Sequence, residues 1–300
     1  MIHRRNLKKQ ALPLKKFYDR KKIMPGTSGL QIDVQFFWLS FIAYSVACLL
    51  YIVFLAIEKK RLSTFATGFM AVGLVLQTVA VVLRSFAAHH LPLTNMFEYI
   101  SLFAWFAAIL YFVALRVYKL QIIGAFISPV IFMLMTSASL LPKDMSIRLM
   151  PALHSYWLQI HVSVAALGES AFVVGFAANL MYFIKKALPE NSGFGKRLPD
   201  LRKLDLVSYK AVTVGYPLFT IGALFAGAIW AEQAWGTFWS WDPKEVGSLI
   251  VWLVYTAYLH ARFVRGWVGT RAIVLSSIGF LCTLLTFFAN LVLGGLHAYG

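Results

Sequence analysis

Residues 33–57 read DVQFFWLSFIAYSVACLLYIVFLAI, and after Asp33 this run contains no charged side chain. A helix needs about 20 apolar residues to cross a hydrocarbon core of roughly 30 Å. Of the 300 residues in the chain, 60% are hydrophobic and only 13% are charged. A soluble domain has a charged fraction of about a quarter. The sequence therefore predicts an all-α integral membrane protein.

Eight apolar runs predict about eight transmembrane helices. They lie near residues 33–57, 65–88, 97–118, 121–141, 155–184, 211–231, 246–264 and 272–293. Short connections between them carry most of the charge. Residues 1–30 form a basic N-terminal tail with nine Lys and Arg and one acidic residue, and residues 31–300 form one polytopic transmembrane domain.

Charge in the connections predicts the orientation. Connections after spans 1, 3, 5 and 7 contain fifteen Lys and Arg, whereas those on the other side contain four. Basic connections stay in the cytoplasm, so the Trp-rich segment at residues 235–245 and the C-terminus are expected to face outward. Eight spans also place the basic tail outside, against the same rule. Either the tail is exported despite its charge, or one span is miscounted.

Composition also excludes several classes of protein. The net charge of +16 is accounted for by topology, and no nucleic-acid-binding motif accompanies it. Cys48 and Cys282 lie in apolar runs and form neither a CxxC redox pair nor a CxxCH haem-attachment site. The chain is therefore predicted to be neither a thiol–disulfide carrier nor a c-type cytochrome.

The segment WGTFWSWDPKE, residues 235–245, concentrates four aromatic residues in seven positions. Asp242 suits a helix N-cap and Pro243 the first helical position, while Glu245 completes a capping box. An interfacial aromatic belt is the alternative explanation for the tryptophans. Their density beside a fixed helix start favours a surface that stacks a flat, polarisable ligand such as a porphyrin.

This segment resembles the W-G-x-x-W-x-W-D signature of the haem-handling superfamily of cytochrome c biogenesis proteins. Similar matches are HLPLTNMFE at 90–98, PALHSYWLQIHVSVAALGESAF at 151–172 and NLVLGGLHAYG at 290–300. The resemblance covers the chain from about residue 65 to its end. Size, eight spans and the terminal GLHAY favour the CcsA/ResC type over the CcmC and CcmF types.

The resemblance implies that the cofactor or cargo is haem b. His161 and His297 match the external haem-iron ligands, and both lie near predicted outer ends of spans. His260, within YLHAR, matches a transmembrane histidine that ligates haem entering from the cytoplasmic side, although a histidine reaching toward the cytoplasmic interface is an alternative. Porphyrin contacts are expected from Trp235, Gly236, Trp239, Trp241 and Asp242. No side chain is expected to act as a catalyst.

By the same resemblance, the chain is a subunit of a cytochrome c synthase that presents haem to the CxxCH motif of apocytochrome c. A CcsB/ResB-like membrane protein would be its partner, in a bacterial plasma membrane or a thylakoid membrane. A CcmC-like haem exporter or chaperone without attachment activity is the alternative. HemX-like regulatory proteins are disfavoured because they should lack the full tryptophan motif.

Other polar residues have weaker signals. Asn95 and Glu98 have capping-box spacing at the start of span 3. Glu169 lies within span 5, where a lone carboxylate is costly, so we expect it to be protonated or paired with a partner's charge. Pro217 predicts a kink in span 6, and Gly222 and Gly227 predict close helix packing. His90 and His154 receive no role.

Overall fold

The computed structural model describes residues 27–144, 153, 155–189 and 191–293, with side chains from residue 32 to residue 287. Within these ranges the chain contains eight helices that are long and apolar enough to cross a membrane. The all-α class and the eight predicted spans are confirmed. The first helix begins at Thr27, within the predicted tail, and residues 1–26 lie outside the described ranges.

The helices follow one another through short connections. They are α1 (Thr27–Ile57), α2 (Lys60–Ala88), α3 (Met96–Tyr118), α4 (Gly124–Ser139), α5 (Tyr156–Ala187), α6 (Gly193–Arg197), α7 (Leu201–Phe219), α8 (Gly227–Trp235), α9 (Pro243–Phe263) and α10 (Thr270–Leu293). A 3₁₀ turn, Gln121–Ile123, precedes α4, and a π-helical segment, Thr220–Ala226, joins α7 to α8. The most extensive pairings are α1 with α2, α5 with α7, and α9 with α10.

Span 6 is longer than predicted. It runs from Leu201 through the π-helical segment to Trp235, whereas the apolar run predicted 211–231. Its first ten residues were missed because they carry charges. One of these, Asp205, accepts hydrogen bonds at 2.9 Å on both carboxylate oxygens from Nη1 of Arg262 on α9. This ion pair neutralises both charges at the predicted cytoplasmic end of the bundle.

The "outer end" is the end of the bundle that carries the connections 89–95 and 236–242 and residues 140–144 after α4, which the charge bias predicts to face outward. Here Asn95 caps α3, because its side chain accepts a hydrogen bond from the Glu98 amide at 2.9 Å. The predicted N-cap is confirmed. The Glu98 carboxylate does not return to the Asn95 amide; it accepts from the amide and hydroxyl of Thr94.

Glu98 also belongs to a buried ion cluster with Asp33 and Arg84. Arg84 Nε donates to Glu98 Oε1 at 2.8 Å, and its Nη1 donates to Asp33 Oδ2 at 2.9 Å. Each of the three residues is at most 4% exposed. Arg84 further donates to the carbonyl oxygen of Lys143 at 3.1 and 3.2 Å. The cluster therefore fastens α1, α2, α3 and the connection after α4 together at the outer end.

Glycines bring span 6 against α5. A Cβ placed on Gly215 would lie 2.8 Å from the carbonyl oxygen of Gly168, and one placed on Gly222 would lie 2.3 Å from the Ala165 amide nitrogen. Only glycine allows such backbone approach, which confirms the close packing predicted at Gly222. Pro217 lies three residues before the π-helical segment, where the α-helical hydrogen-bond pattern ends.

Candidate functional site

His161 lies in the second turn of α5 at the outer end and is 8% exposed. Its Nδ1 lies 2.8 Å from the carbonyl oxygen of Gly222. A carbonyl only accepts, so Nδ1 carries the proton of this hydrogen bond. A neutral imidazole in that tautomer has its lone pair on Nε2, and this is the arrangement that orients metal-ligating histidines.

The π-helical segment supplies the carbonyl that fixes His161. Gly222 O also accepts the amide of Gly227, which closes the segment. A Cβ on Gly227 would lie 3.0 Å from both Cε1 and Nδ1 of the His161 ring. The imidazole therefore packs directly against the backbone of span 6 at this glycine. Isolated π-helical turns are frequent at functional sites. This carbonyl contact could not be predicted from the sequence.

Trp230 lies beside the imidazole with its ring nearly parallel to it. The two rings are 5.8 Å apart between centroids and 10° from parallel, and Trp230 is 1% exposed. Trp235, the last residue of α8, packs edge-on against Trp230 at 4.7 Å. Sequence reasoning selected Trp235 and missed Trp230, because only the folded register of α5 and α8 places Trp230 beside the histidine.

The loop after α8 carries the rest of the motif. Gly236, with φ +77°, is the C-cap of α8 and is exposed. Trp239 and Trp241 lie edge to face with centroids 5.8 Å apart. Trp241 is 72% exposed and has φ +59°, a left-handed conformation that costs energy for a bulky side chain. Strain of this kind is concentrated at functional sites.

A capping box ends the loop and starts α9, as predicted from Asp242, Pro243 and Glu245. Asp242 Oδ1 accepts from the Lys244 amide at 2.9 Å, and Glu245 Oε2 accepts from the Asp242 amide at 3.2 Å. Glu245 also accepts from the Ser240 amide at 2.8 Å. The carboxylate therefore holds the loop and the helix start in one geometry.

Two cavities flank His161. The first has about 380 Å³ of empty space, part of it open to solvent, and is lined by His161, Gly227, Phe238, Trp239 and Lys244 among others. The second has about 410 Å³ on the same measure, and its lining includes Asn95, Tyr99, His161, Trp230 and Lys244. The enclosed space is far smaller, about 30 Å³ in the first and 40 Å³ in the second, so both are narrow clefts that would have to open to admit a ligand of porphyrin size.

Of the predicted site residues, the structure brings His161 and Trp239 to one cavity. Trp235 reaches the histidine through Trp230. Neither Gly236 nor Trp241 contributes to the described walls of the two cavities; both lie at the surface beside them.

Glu169 lies two turns deeper on α5 than His161. Its Oε2 accepts a hydrogen bond from the Tyr99 hydroxyl at 2.7 Å. It also interacts electrostatically with Lys244. A charge from a partner protein is not needed to stabilise this carboxylate, because Tyr99 and Lys244 of the same chain interact with it.

His260 belongs to the opposite end of the bundle. It lies one turn before the end of α9, 15 residues after Glu245, which corresponds to about 22 Å of helix. Its side chain is exposed, on the same outward face of the helix as Leu253. His260 is therefore remote from His161. His297 and His154 lie outside the described residues.

The fold and site define a class: a multi-pass helical membrane protein with a buried histidine and a tryptophan-rich loop at one end of the bundle. The chain belongs to the cytochrome c assembly protein family, whose model matches residues 93–297. The expected CcsA-type membership is confirmed.

Relatives cover most of the chain. It is 37% identical to the cytochrome c biogenesis protein CcsA of Guillardia theta, over 81% of this chain and 89% of that protein. For CcsA of Prochlorococcus marinus strain MIT 9301 the identity is 35%, over 82% and 87%. Among solved structures, the cytochrome c haem lyase CcmF superposes with a TM-score of 0.70 at 15% identity. The match covers 87% of this chain but 46% of CcmF, and it shows a shared fold.

Relatives come from cyanobacteria and from plastid-bearing organisms. Together with the eight apolar helices, this fits a multi-pass protein of a plasma or thylakoid membrane.

Proposed function

We propose that this chain acts in cytochrome c biogenesis by binding haem b at its outer end and presenting it for covalent attachment to apocytochrome c. Family membership and the CcsA-type relatives support the pathway. One observation supports the site: His161, oriented through Nδ1 by the Gly222 carbonyl, stands between two cavities walled by aromatic residues.

In this proposal His161, through Nε2, and His297 would be the two protein ligands of the haem iron. Trp230 holds the imidazole plane, while Trp239 and Phe238 offer aromatic faces to the porphyrin. Each cysteine thiol of the CxxCH motif then adds across a haem vinyl group, forming one C–S and one C–H bond. The chain positions the haem, and the haem carries the reactivity.

His260 is the proposed ligand on the entry side. Its exposed position on α9 leaves room for a ligand from a second protein, and we assign that role to a CcsB/ResB-like partner. Haem would then pass from the cytoplasmic end of the bundle to the outer end. The tryptophan-rich loop would face the compartment in which the cytochrome is assembled.

The test is co-expression of the full chain with the CcsB/ResB-like partner and a reporter apocytochrome c. We expect holocytochrome to form, and the combined His161→Ala and His297→Ala variant to form almost none. His89→Ala is the matched control, since this exposed histidine lines neither cavity. Undiminished holocytochrome in the double variant would refute the assignment of the site.

The same co-expression, with a soluble haem-binding acceptor added on the outer side, separates the proposal from a CcmC-like exporter. An exporter would deliver haem to a soluble haem-binding acceptor on the outer side, yet would leave the reporter without thioether bonds. Detection of haem delivery without covalent holocytochrome, with the partner present, would favour the exporter. Covalent haem on the reporter that depends on this chain would exclude a pure exporter.

A further inference from the structure

Lys244 is shared by the two cavities beside His161. Among the described residues that line either cavity, it is the single Lys or Arg. The carboxylate of its neighbour Glu245 is occupied by hydrogen bonds from Ser240 and Asp242. The lysine is therefore the cationic group that the structure offers to a ligand bound beside His161.

The position of Lys244 is determined from two directions. Its backbone amide donates to the Asp242 N-cap at 2.9 Å, so its Cα is fixed at the start of α9. Its ammonium lies 4.8 Å from the centroid of the Tyr99 ring, a cation–π contact. The Tyr99 hydroxyl in turn donates to Glu169, which also interacts electrostatically with Lys244. These contacts hold the ammonium beside Tyr99, which lines the second cavity, and the lysine is only partly exposed.

A porphyrin ligand of the haem b type carries two peripheral carboxylates. Burying a carboxylate away from water is costly unless it pairs with a cation or accepts hydrogen bonds. We propose that Lys244 binds a peripheral carboxylate of the haem and so sets the rotation of the porphyrin about the His161–iron axis. This inference rests on the proposed function of the two cavities. It makes Lys244 a specificity-determining residue that acts on the edge of the ligand, not on its iron.

The competing role for Lys244 is purely structural: it would only neutralise Glu169 and Asp242. In that case its removal would destabilise the protein and would weaken binding of all porphyrins alike. Under the proposal, removal weakens binding only of porphyrins that carry free carboxylates. The comparison between haem and its dimethyl ester distinguishes the two roles.

The experiment titrates the purified full-length chain in detergent with haem and, separately, with haem dimethyl ester, following the Soret absorption. We expect the unmodified chain to bind haem about tenfold more tightly than the ester, as one charge-assisted hydrogen bond predicts. Lys244→Met should abolish this preference and leave ester affinity within about twofold. Lys244→Arg should retain the preference. Lys143→Met is the matched control, because this outer-end lysine lies over Trp38 and lines neither cavity.

Thermal unfolding of each variant without haem shows whether it folds, and Lys244→Gln replaces Lys244→Met if the methionine variant does not. Absence of His161-dependent binding of either porphyrin to the unmodified chain would overturn the proposed function and this inference together. Equal affinity of the unmodified chain for haem and ester, or a preserved preference in Lys244→Met, would overturn the inference alone.

Discussion

Replacing Gly222 with alanine tests the mechanism that orients His161. The added Cβ would lie 2.3 Å from the Ala165 amide nitrogen and 2.7 Å from the Val164 carbonyl carbon. Both are backbone atoms of α5, so no rotamer change can relieve the clash. Ordinary contact begins at 3.4 Å, and the two segments would have to separate by 3.4 minus 2.3, or about 1.1 Å.

The same displacement reaches the histidine. Added along the hydrogen bond, it would lengthen the 2.8 Å distance from His161 Nδ1 to Gly222 O to about 3.9 Å, which is beyond hydrogen-bonding range. Overpacking of this kind lowers the free energy of unfolding by about 1–3 kcal/mol. We also expect the imidazole to lose its fixed orientation, so that bound haem no longer shows a uniform six-coordinate, low-spin spectrum.

The assay is thermal unfolding of detergent-purified protein, together with the absorption spectrum after addition of haem. Gly68→Ala is the matched control, since a Cβ there meets no atom within 4 Å and the glycine also lies in a membrane-spanning helix. If Gly222→Ala unfolds at the same temperature as Gly68→Ala and binds haem with the unmodified spectrum, then the close approach of span 6 to α5 does not control the histidine.

Two further changes test the outer end of the bundle. Arg84→Met leaves the carboxylates of Asp33 and Glu98 buried without their base, so chemical unfolding should show a loss of about 3–5 kcal/mol, and a loss below about 1 kcal/mol would contradict the ion cluster. Trp241→Gly removes a side chain from φ +59°, so without haem the protein should gain about 1 kcal/mol in thermal unfolding while haem binding weakens. A less stable haem-free Trp241→Gly variant would show that the contact with Trp239 outweighs the strain.

Local patterns predicted the parts of the fold that depend on neighbours in sequence. Apolar runs located the eight spans, because crossing a bilayer requires length and apolarity together. The capping box at Asp242 was also predictable, since its residues lie within one helical turn. The predicted start of span 6 was wrong because it depends on a contact that is not local in sequence. Its buried carboxylate, Asp205, is paired with Arg262 on another helix, and a count of apolar residues does not detect a partner 57 residues away.

Contacts between distant spans could not be predicted from the sequence. Trp230 stacks on His161 only because glycines draw span 6 against α5 and the π-helical segment resets the register of α8. Glu98 had a sufficient local explanation as a capping residue, which hid its role in the buried ion cluster. In both cases the missing information was the relative position of two helices, which sequence periodicity does not specify.

The buried ion cluster has a consequence for how the chain enters the membrane. Asp33 belongs to α1 and Arg84 to α2, while the second acid, Glu98, follows on α3. The two residues between α1 and α2, Glu58 and Lys59, allow these helices to form a tight hairpin. A hairpin whose acid and base neutralise each other is inserted at lower cost than a helix with a lone charge. We therefore expect the first two spans to be inserted as one unit, with the arrival of the third span sealing the arginine from lipid and water.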